Sequence, residues 1–598
     1  MTQSLINPAK LDGFDLETTG LQPWAGEIIS MAHYHTTGVT LQEPSVAALR
    51  EWLEECRDEG RTIVGWNVMF DMAWLLAKDL GYLVRQNKWL DGMLLLKRID
   101  GFRFSYSLKT IVKEKWPQYA DYAIDDFSKP TTEEGWQKML TYNLQDVVFT
   151  LTLAKEYLSQ MTDKEVAMAM TEAECLPELA QAWLDGIHID TAALALLKEE
   201  NITKLVKLRM ELGVSTTVIS SPKQLANVLY TQWGLPILDR TEKGAPSTSK
   251  DALHKLAIYA PEDDRIMKLL EMRKCKTIQG KYVEAVEKSI AHHGHNVTHP
   301  QPQAGGTYTS RLTYSSKQGK GKEEVQTGIA LHQWSRDKRV RAELIPPPGY
   351  LLGEWDFSGQ EMRLMADASQ DETMLSLFLN GIDSHAYMGA SIKDLDWHWV
   401  HDEQDNDPAA KQARYLGKFA NLSLQYRIGV ATIRIRALTQ YGLNLSEAEA
   451  TLIRSKYAGT YPGVLQYWVD SIQRAGRLGY AETRGGHRIK LDDMSEYSLQ
   501  QTAINFPIQG TGGDMKLLAL AVLKNHFPEL GVHFAWDLHD ALFLYIPDDS
   551  RAVKTARFIE HTLSNLPYEK AWGWRPAVPL PVDGKLGKSW GSLKSYKD

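Results

Sequence analysis

Short apolar runs and helical repeats alternate along the first 155 residues. "FDLETTG" (14–20) opens on an apolar residue and places Asp15 and Glu17 on one face of a predicted strand, because side chains two apart share a face. "IVGWNVMFDMAWL" (63–75) passes from a strand-like start into a helix that sets Asn67 and Asp71 on one face. "LTYNLQDVVFTLTLA" (140–154) is an apolar helix with Tyr142 and Asp146 again four apart. A further helix is expected over 161–190, ending near Gly186. Residues 191–290 are strongly helical with alternating faces, and Ser221 and Pro222 start a helix within them. A Gly/Pro/Ser/Thr-rich loop covers 241–249, and alone this region would also suit a coiled-coil arm.

From about 297 the pattern breaks into short segments rich in Gly, Thr and Ser. "SSKQGKGKEEVQTG" (315–328) reads as a mobile surface loop, and the histidines of "HHGHNVTH" (292–299) as a solvent-facing connector. A strand is predicted from about 350 to Asp356, followed by a helix carrying Glu361 and Arg363. "HFAWDLHDALFLYIP" (533–547) reads as two strands with His539 and Asp540 at the tip between them. Within 411–429, Arg414, Lys418, Leu422 and Tyr426 form one helical stripe, and two cations followed by an aromatic suit a triphosphate and a stacked base.

At 598 residues the chain is long enough for several domains, and 43% hydrophobic with 24% charged residues is an ordinary globular balance. No run reaches the roughly 20 apolar residues of a membrane span, and the N-terminus lacks a basic start before an apolar stretch. Cys56, Cys175 and Cys275 are odd in number and far apart, which excludes a disulfide framework and fits a reducing cytoplasm. A net charge of −8 neither supports nor refutes nucleic-acid binding, since a large enzyme can be basic along one groove only.

Asp15, Glu17, Asp71 and Asp146 come in strand, helix, helix order, and a buried lone aspartate is costly unless paired or metal-bound. Four acids and Tyr142 suit two-metal phosphodiester hydrolysis with Mg²⁺, or Mn²⁺ in its place. "DLE", "NVMFD" and "YNLQD" resemble, in order, the DEDD-type 3′–5′ exonucleases with tyrosine in the third motif. That resemblance implies an RNase H-like domain over 1–160, with Tyr142 orienting the attacking water.

"DFSGQEMR", "RYLGKFANLSLQY" and "LHDA" resemble the three motifs of family-A DNA polymerases; "TYTSRLTYSS", "YPGV", "NFPIQGTGGD" and "GKSW" match further family segments, and "SPKQL" and "TEKGAPST" its thumb. The resemblance covers most of the chain and implies a multidomain α/β protein, an exonuclease followed by a right-hand polymerase. The connecting helix would span 161–186, the thumb 187–296, the palm 297–390 with 480–598, and the fingers 391–479. The sequence starts almost at the exonuclease, so no 5′-nuclease domain is expected ahead of it.

The resemblance also assigns roles. Asp356 and Asp540 would hold two Mg²⁺ ions for attack by the primer 3′-hydroxyl on a dNTP, with two more at the exonuclease acids. Arg414 and Lys418 would neutralise the triphosphate, with Lys418 protonating the leaving group. Leu422, Tyr426, His385 and Gln360 would line the nucleotide, and Glu361 would crowd a 2′-hydroxyl. Arg311, Asn505, Gln509 and His539 would contact primer–template DNA. The implied setting is a monomeric phage replicase in the cytoplasm of an infected bacterium, without membrane attachment and with accessory proteins unspecified.

Four positions depart from the family pattern: Ala541 for a glutamate, Leu422 for an aromatic, Gly359-Gln360 for Gln-Ile, and Gln501 for an arginine. They cluster around the incoming base pair, so altered nucleotide choice is expected, including the idea that polar Gln360 favours 2-aminoadenine. Ala541 keeps open a nuclease with a decayed polymerase half. The N-terminal motifs alone would fit an RNase D-like exoribonuclease, which leaves the later motifs unexplained.

Overall fold

The computed structural model describes residues 5–597 apart from 125–127, 320, 322–323 and 493. Part of the 315–328 loop, including Lys320 and Lys322, therefore lies outside the described residues. The strand Leu11–Thr18 is buried along most of its length because it lies at the centre of a five-stranded sheet. Ile28–Tyr34 and Gly38–Gln42 extend the sheet on one side in antiparallel pairing, and Thr62–Gly65 and Lys88–Asp91 on the other in parallel. The helix Glu133–Gln160 closes one apolar core on this sheet, bringing Leu151 and Leu153 against Leu11, Val64 and Leu90.

The helix Asp163–Asp185 joins the two halves of the molecule. A capping box between Thr162 and Glu165 starts it, and Gly186, at φ 64°, ends it where the sequence places the stop. It packs on the helix Met69–Leu76, on the long helix Glu496–Leu523 and on the strand His533–Leu538. Apolar residues on several of its faces, among them Met168, Cys175, Leu176 and Trp183, are buried for that reason.

Residues 191–293 are mostly helical, with a non-helical stretch over 233–249 that includes the expected loop, and Thr191–Leu212 lies against Asp264–Thr277, so the region folds as packed helices and not as an extended arm. Pro222 opens a helix behind the Ser221 cap. A small three-stranded sheet of Leu344–Ile345, Ile187–Ile189 and Val297–Thr298 fastens the base of these helices. The histidine-rich stretch faces solvent at His292 and His295, as expected, and departs from expectation at His299. His299 is buried, stacks on Trp24 with ring centroids 4.2 Å apart, and donates from Nδ1 to the Trp183 carbonyl at 3.0 Å. Burial pushes its pKa down to about 4, so a neutral ring closes this junction.

A second five-stranded sheet, antiparallel throughout, runs in the order His533–Leu538, Ala541–Pro547, Tyr350–Phe357, Val582–Gly587, Lys594–Ser595. One face buries Trp355, Phe357, Leu542 and Leu544 in the main core; on the other, Leu352, Ala541 and Phe543 belong to a second core. The helices Ser384–Lys393 and Pro408–Leu424 pack tightly together beyond it, so the boundary expected at 391 falls inside a helix. No described helix is long and apolar enough to cross a membrane.

Candidate functional site

The first sheet and two helices assemble the N-terminal acids. Carboxylate oxygens of Asp15, Glu17 and Asp146 all lie within 4.8 Å of one another. Burial, then the charges of Glu17, Asp71 and Asp146, raise the Asp15 pKa well above the carboxylate range. Glu17 is pushed up to about 8 by burial and then by Asp146 and Asp71. Asp71 stands outside that trio, and its Oδ1 accepts the Leu16 N–H at 3.1 Å. It stays near enough for its charge to act on Asp15 and Glu17.

Tyr142 is buried and, with Tyr122, hydrogen-bonds Asp146; Tyr122 Oη donates to Oδ1 at 2.7 Å. Three contributors were not singled out from sequence. Tyr122 stacks on Tyr142, Asn143 Nδ2 donates to Asp15 Oδ2 at 2.6 Å, and Lys109 Nζ stands 5.0 Å from the Tyr142 ring, its charge favouring ionised Glu17. Asn143 carried a signal, since it lies one turn before Asp146. Tyr122 and Lys109 sit on separate segments with no periodicity linking them to the acids.

The second sheet presents Asp356 at the end of the strand Tyr350–Phe357 and Asp540 in the turn before Ala541. Desolvation in the cleft, then the Asp540 charge, raise Asp356 to about 6. Ala541 pairs with Asp356 in register, so a third acid there would share its face. His539 occupies the hairpin tip with φ 52°. Arg311 Nη2 reaches both Asp540 Oδ1, at 3.1 Å, and Glu361 Oε1, at 3.2 Å.

Glu361 is held on both oxygens. Its Oε2 accepts Tyr426 Oη at 2.6 Å and Gln425 Nε2 at 3.3 Å. Tyr426 lies two residues past the end of the Pro408–Leu424 helix, so the expected stripe turns away from the helix at its last member. Gln509, on the Glu496–Leu523 helix, bonds Tyr426, and Asn505 lies one turn earlier with its buried Oδ1 unpaired. Gln360 corrects an expectation. It is 2% exposed, wedged against Gly512 and Met515, with Oε1 unpartnered. The start of its helix turns it into the core, where an open side chain lining the nucleotide was expected.

On the Pro408–Leu424 helix, Lys418 is exposed and makes no ion pair among the described residues, Arg414 Nε donates to Asp383 Oδ2 at 2.7 Å, and Leu422 is half-buried. Asp383 also caps the helix Ser384–Lys393, which carries His385. Burial pushes the His385 pKa down to about 4, so its ring is neutral. These groups hold fixed spacing because Gly389 and Gly417 let the two helices touch backbone to backbone. A Cβ on Gly389 would lie 2.1 Å from the Ala413 carbonyl, and one on Gly417 2.1 Å from that of His385.

Both acid groups fit hard divalent cations. Their donors are carboxylate oxygens, and the raised pKa values record burial first and then a mutual repulsion, both of which such a cation offsets.

Relatives of this chain are found among known DNA polymerases. The DNA polymerase I of Pseudomonas aeruginosa is 24% identical over 621 aligned positions, covering 98% of this chain and 64% of that protein. The DNA polymerase of Bacillus phage SP01 is 22% identical, covering 91% of this chain and 64% of that one. This chain thus spans 64% of the length of either relative. The fold is shared with the POL domain of Pol1 from M. smegmatis, solved in complex with DNA primer-template and dNTP, at a TM-score of 0.77, 20% identity, and coverage of 98% and 96%. The family model for DNA polymerase family A matches residues 192–592, about two-thirds of the sequence, and the chain belongs to that family.

Proposed function

We propose that this chain extends the 3′ end of a DNA primer with deoxynucleotides on a template, and trims the same end at its N-terminal acids. The observation that carries the first activity is the convergence of Asp356, Asp540, Arg311 and Glu361 on one sheet end. The phosphate-binding candidates Arg414 and Lys418 extend from the neighbouring helix. The second activity rests on the Asp15–Glu17–Asp146 cluster. In this reading 187–296 is the thumb, 391–479 the fingers, and 297–390 with 480–598 the palm.

Lys418 is free to meet a triphosphate and to give a proton to departing pyrophosphate. Arg414 adds charge while Asp383 fixes its direction, and His385 offers a neutral donor. Glu361, locked by Tyr426 and Arg311, is a rigid obstacle to a 2′-hydroxyl. Asn505 and Gln509 would offer donors and acceptors to the minor groove of the last base pair. Divalent ions held by Asp356 and Asp540, and by the N-terminal acids, would supply charge stabilisation for phosphoryl transfer and phosphodiester hydrolysis. Magnesium is the ion of choice for such oxygen donors.

Similarity to a phage polymerase supports a role in phage genome replication. A purine preference routed through Gln360 would act through its packing on Gly512 and Met515; equal or adenine-favouring use of the adenine and 2-aminoadenine triphosphates opposite thymine would remove it. The founding test is a 5′-labelled primer on a longer template with Mg²⁺. Extension with dNTPs and shortening without them is expected. Shortening in both lanes would leave only the nuclease.

A further inference from the structure

Arg311 reaches its two acids from an unusual backbone. The residue before it, Ser310, is buried and left-handed at φ 59°, a conformation that costs a non-glycine residue free energy. Something must hold it there. Ser310 Oγ donates to Asp514 Oδ1 at 3.0 Å and meets His487 Nδ1 at 2.9 Å. The hydroxyl has a single proton, so giving it to Asp514 leaves the imidazole Nδ1–H as the donor to Oγ. Thr483 Oγ1 donates to Asp514 Oδ2 at 2.5 Å and accepts the His487 backbone N–H at 2.9 Å.

Each member is buried, and the Asp514 carboxylate is satisfied by two hydroxyls, as a buried acid requires. The helix bearing Asp514 touches the turn directly: a Cβ on Gly513 would lie 2.0 Å from the Thr309 carbonyl. On the other side of the turn, Thr307 Oγ1 accepts the Arg311 N–H at 3.1 Å. A core-filling role would not require Asp514 and His487, from separate segments, to meet on one strained serine with Thr483 bracing both, one residue from the guanidinium that bridges Asp540 and Glu361.

We propose that Ser310, Asp514, His487 and Thr483 form a buried clamp that keeps Ser310 left-handed and so aims Arg311 at the primer end. The four are positioning residues that act through Arg311. The proposal rests on the polymerase reading above.

A double-mutant cycle tests it, read as the single-turnover rate of primer extension at saturating DNA and dNTP, with thermal melts of each protein. Ser310→Ala keeps the backbone strain and loses the hydroxyl. It is expected to slow extension about tenfold, since misplacement of a positioning group by an ångström can cost up to about a hundredfold. Ser310→Gly also loses the hydroxyl but accepts the left-handed turn without strain. It is expected to fold normally and lose only about threefold. In an Arg311→Ala background both substitutions should change the rate by less than about twofold, because the group they aim is gone.

Losses of the same size in both backgrounds would overturn the clamp in favour of a general structural role. So would a Ser310→Ala protein as fast as the parent. Absence of extension by the unsubstituted protein would be seen before any comparison and would overturn the polymerase reading, and the clamp with it.

Discussion

Glu361 makes three side-chain hydrogen bonds, to Arg311, Gln425 and Tyr426, so its carboxylate cannot swing aside cheaply. Glu361→Ala should therefore raise ribonucleotide use relative to deoxynucleotide by at least about tenfold, equivalent to roughly 1.4 kcal/mol of lost discrimination. The ratio of kcat/KM for matched rNTP and dNTP checks it; an unchanged ratio would exclude Glu361 as the obstacle. A second buried acid has the opposite character. Glu343 has no partner on either carboxyl oxygen, and burial pushes its pKa up to about 9 from an ordinary 4.5. Below about 4.5 both folded and unfolded chains keep the proton and no difference arises. Between 4.5 and 9 the unfolded chain releases it while the native state holds it, so stability falls as pH rises. The limit is about 1.4 kcal/mol per pH unit. Glu343→Gln carries a fixed cost for its buried amide but no titration. Its melting temperature should gain on the parent steadily from pH 5 to pH 8, and a constant difference would mean that Glu343 is ionised in the fold.

At the scale of elements, the helices Ser384–Lys393 and Pro408–Leu424 depend on two glycines with no room for a methyl group. Gly417→Ala must push the His385 carbonyl, backbone and not a pliable side chain, from 2.1 Å to contact distance. Overpacking of this kind costs about 1–3 kcal/mol. The shift also moves Lys418, the next residue, away from Arg414's anchor on Asp383. The KM for dNTP should rise about tenfold while DNA affinity stays within about twofold, as expected when a positioning element loosens; an unchanged KM would detach this helix pair from nucleotide binding. The elements themselves were legible in the sequence. The strand at Asp15, the strand-to-helix transitions near Asn67 and Asp356, the hairpin at Asp540 and the Ser221-Pro222 start all follow from apolar period and cap chemistry. What stayed hidden depends on direction and partners. Helical spacing put Gln360 beside Glu361 without revealing that the first turn faces inward. Burial logic singled out Asp71 but could not foresee that the Leu16 N–H would satisfy it. Tyr122, Lys109 and the Ser310 clamp are contacts between distant segments, which no local period encodes.

For the whole molecule, the central issue is how separable two acid centres are when one helix, Asp163–Asp185, packs on elements of both halves. The N-terminal cluster is closed within its own sheet and helices: Asp15 takes a hydrogen bond from Asn143, Asp146 from Tyr122 and Tyr142, and Glu17 has the charge of Lys109 nearby. The palm acids likewise draw on Arg311 and on their own sheet. Neither centre borrows a described side chain from the other, so their chemistries should part cleanly on substitution. Asp15→Ala removes one of three clustered carboxylates, and trimming of a single-stranded 3′ end should fall at least about a thousandfold while extension stays within about twofold. Asp540→Ala should do the reverse, because it removes a principal palm acid and frees Arg311. Losses of that order match what metal-held phosphoryl transfer contributes to rate. Chelation of divalent ions should abolish both activities together, and Mg²⁺ should restore both. Should Asp15→Ala also depress extension, the shared helix would be transmitting a change between halves, and thermal melting of the variant would reveal it as lost stability of the joint. Intact melting with depressed extension would instead place the N-terminal acids in the path of the primer during synthesis, which the two self-contained partner sets argue against.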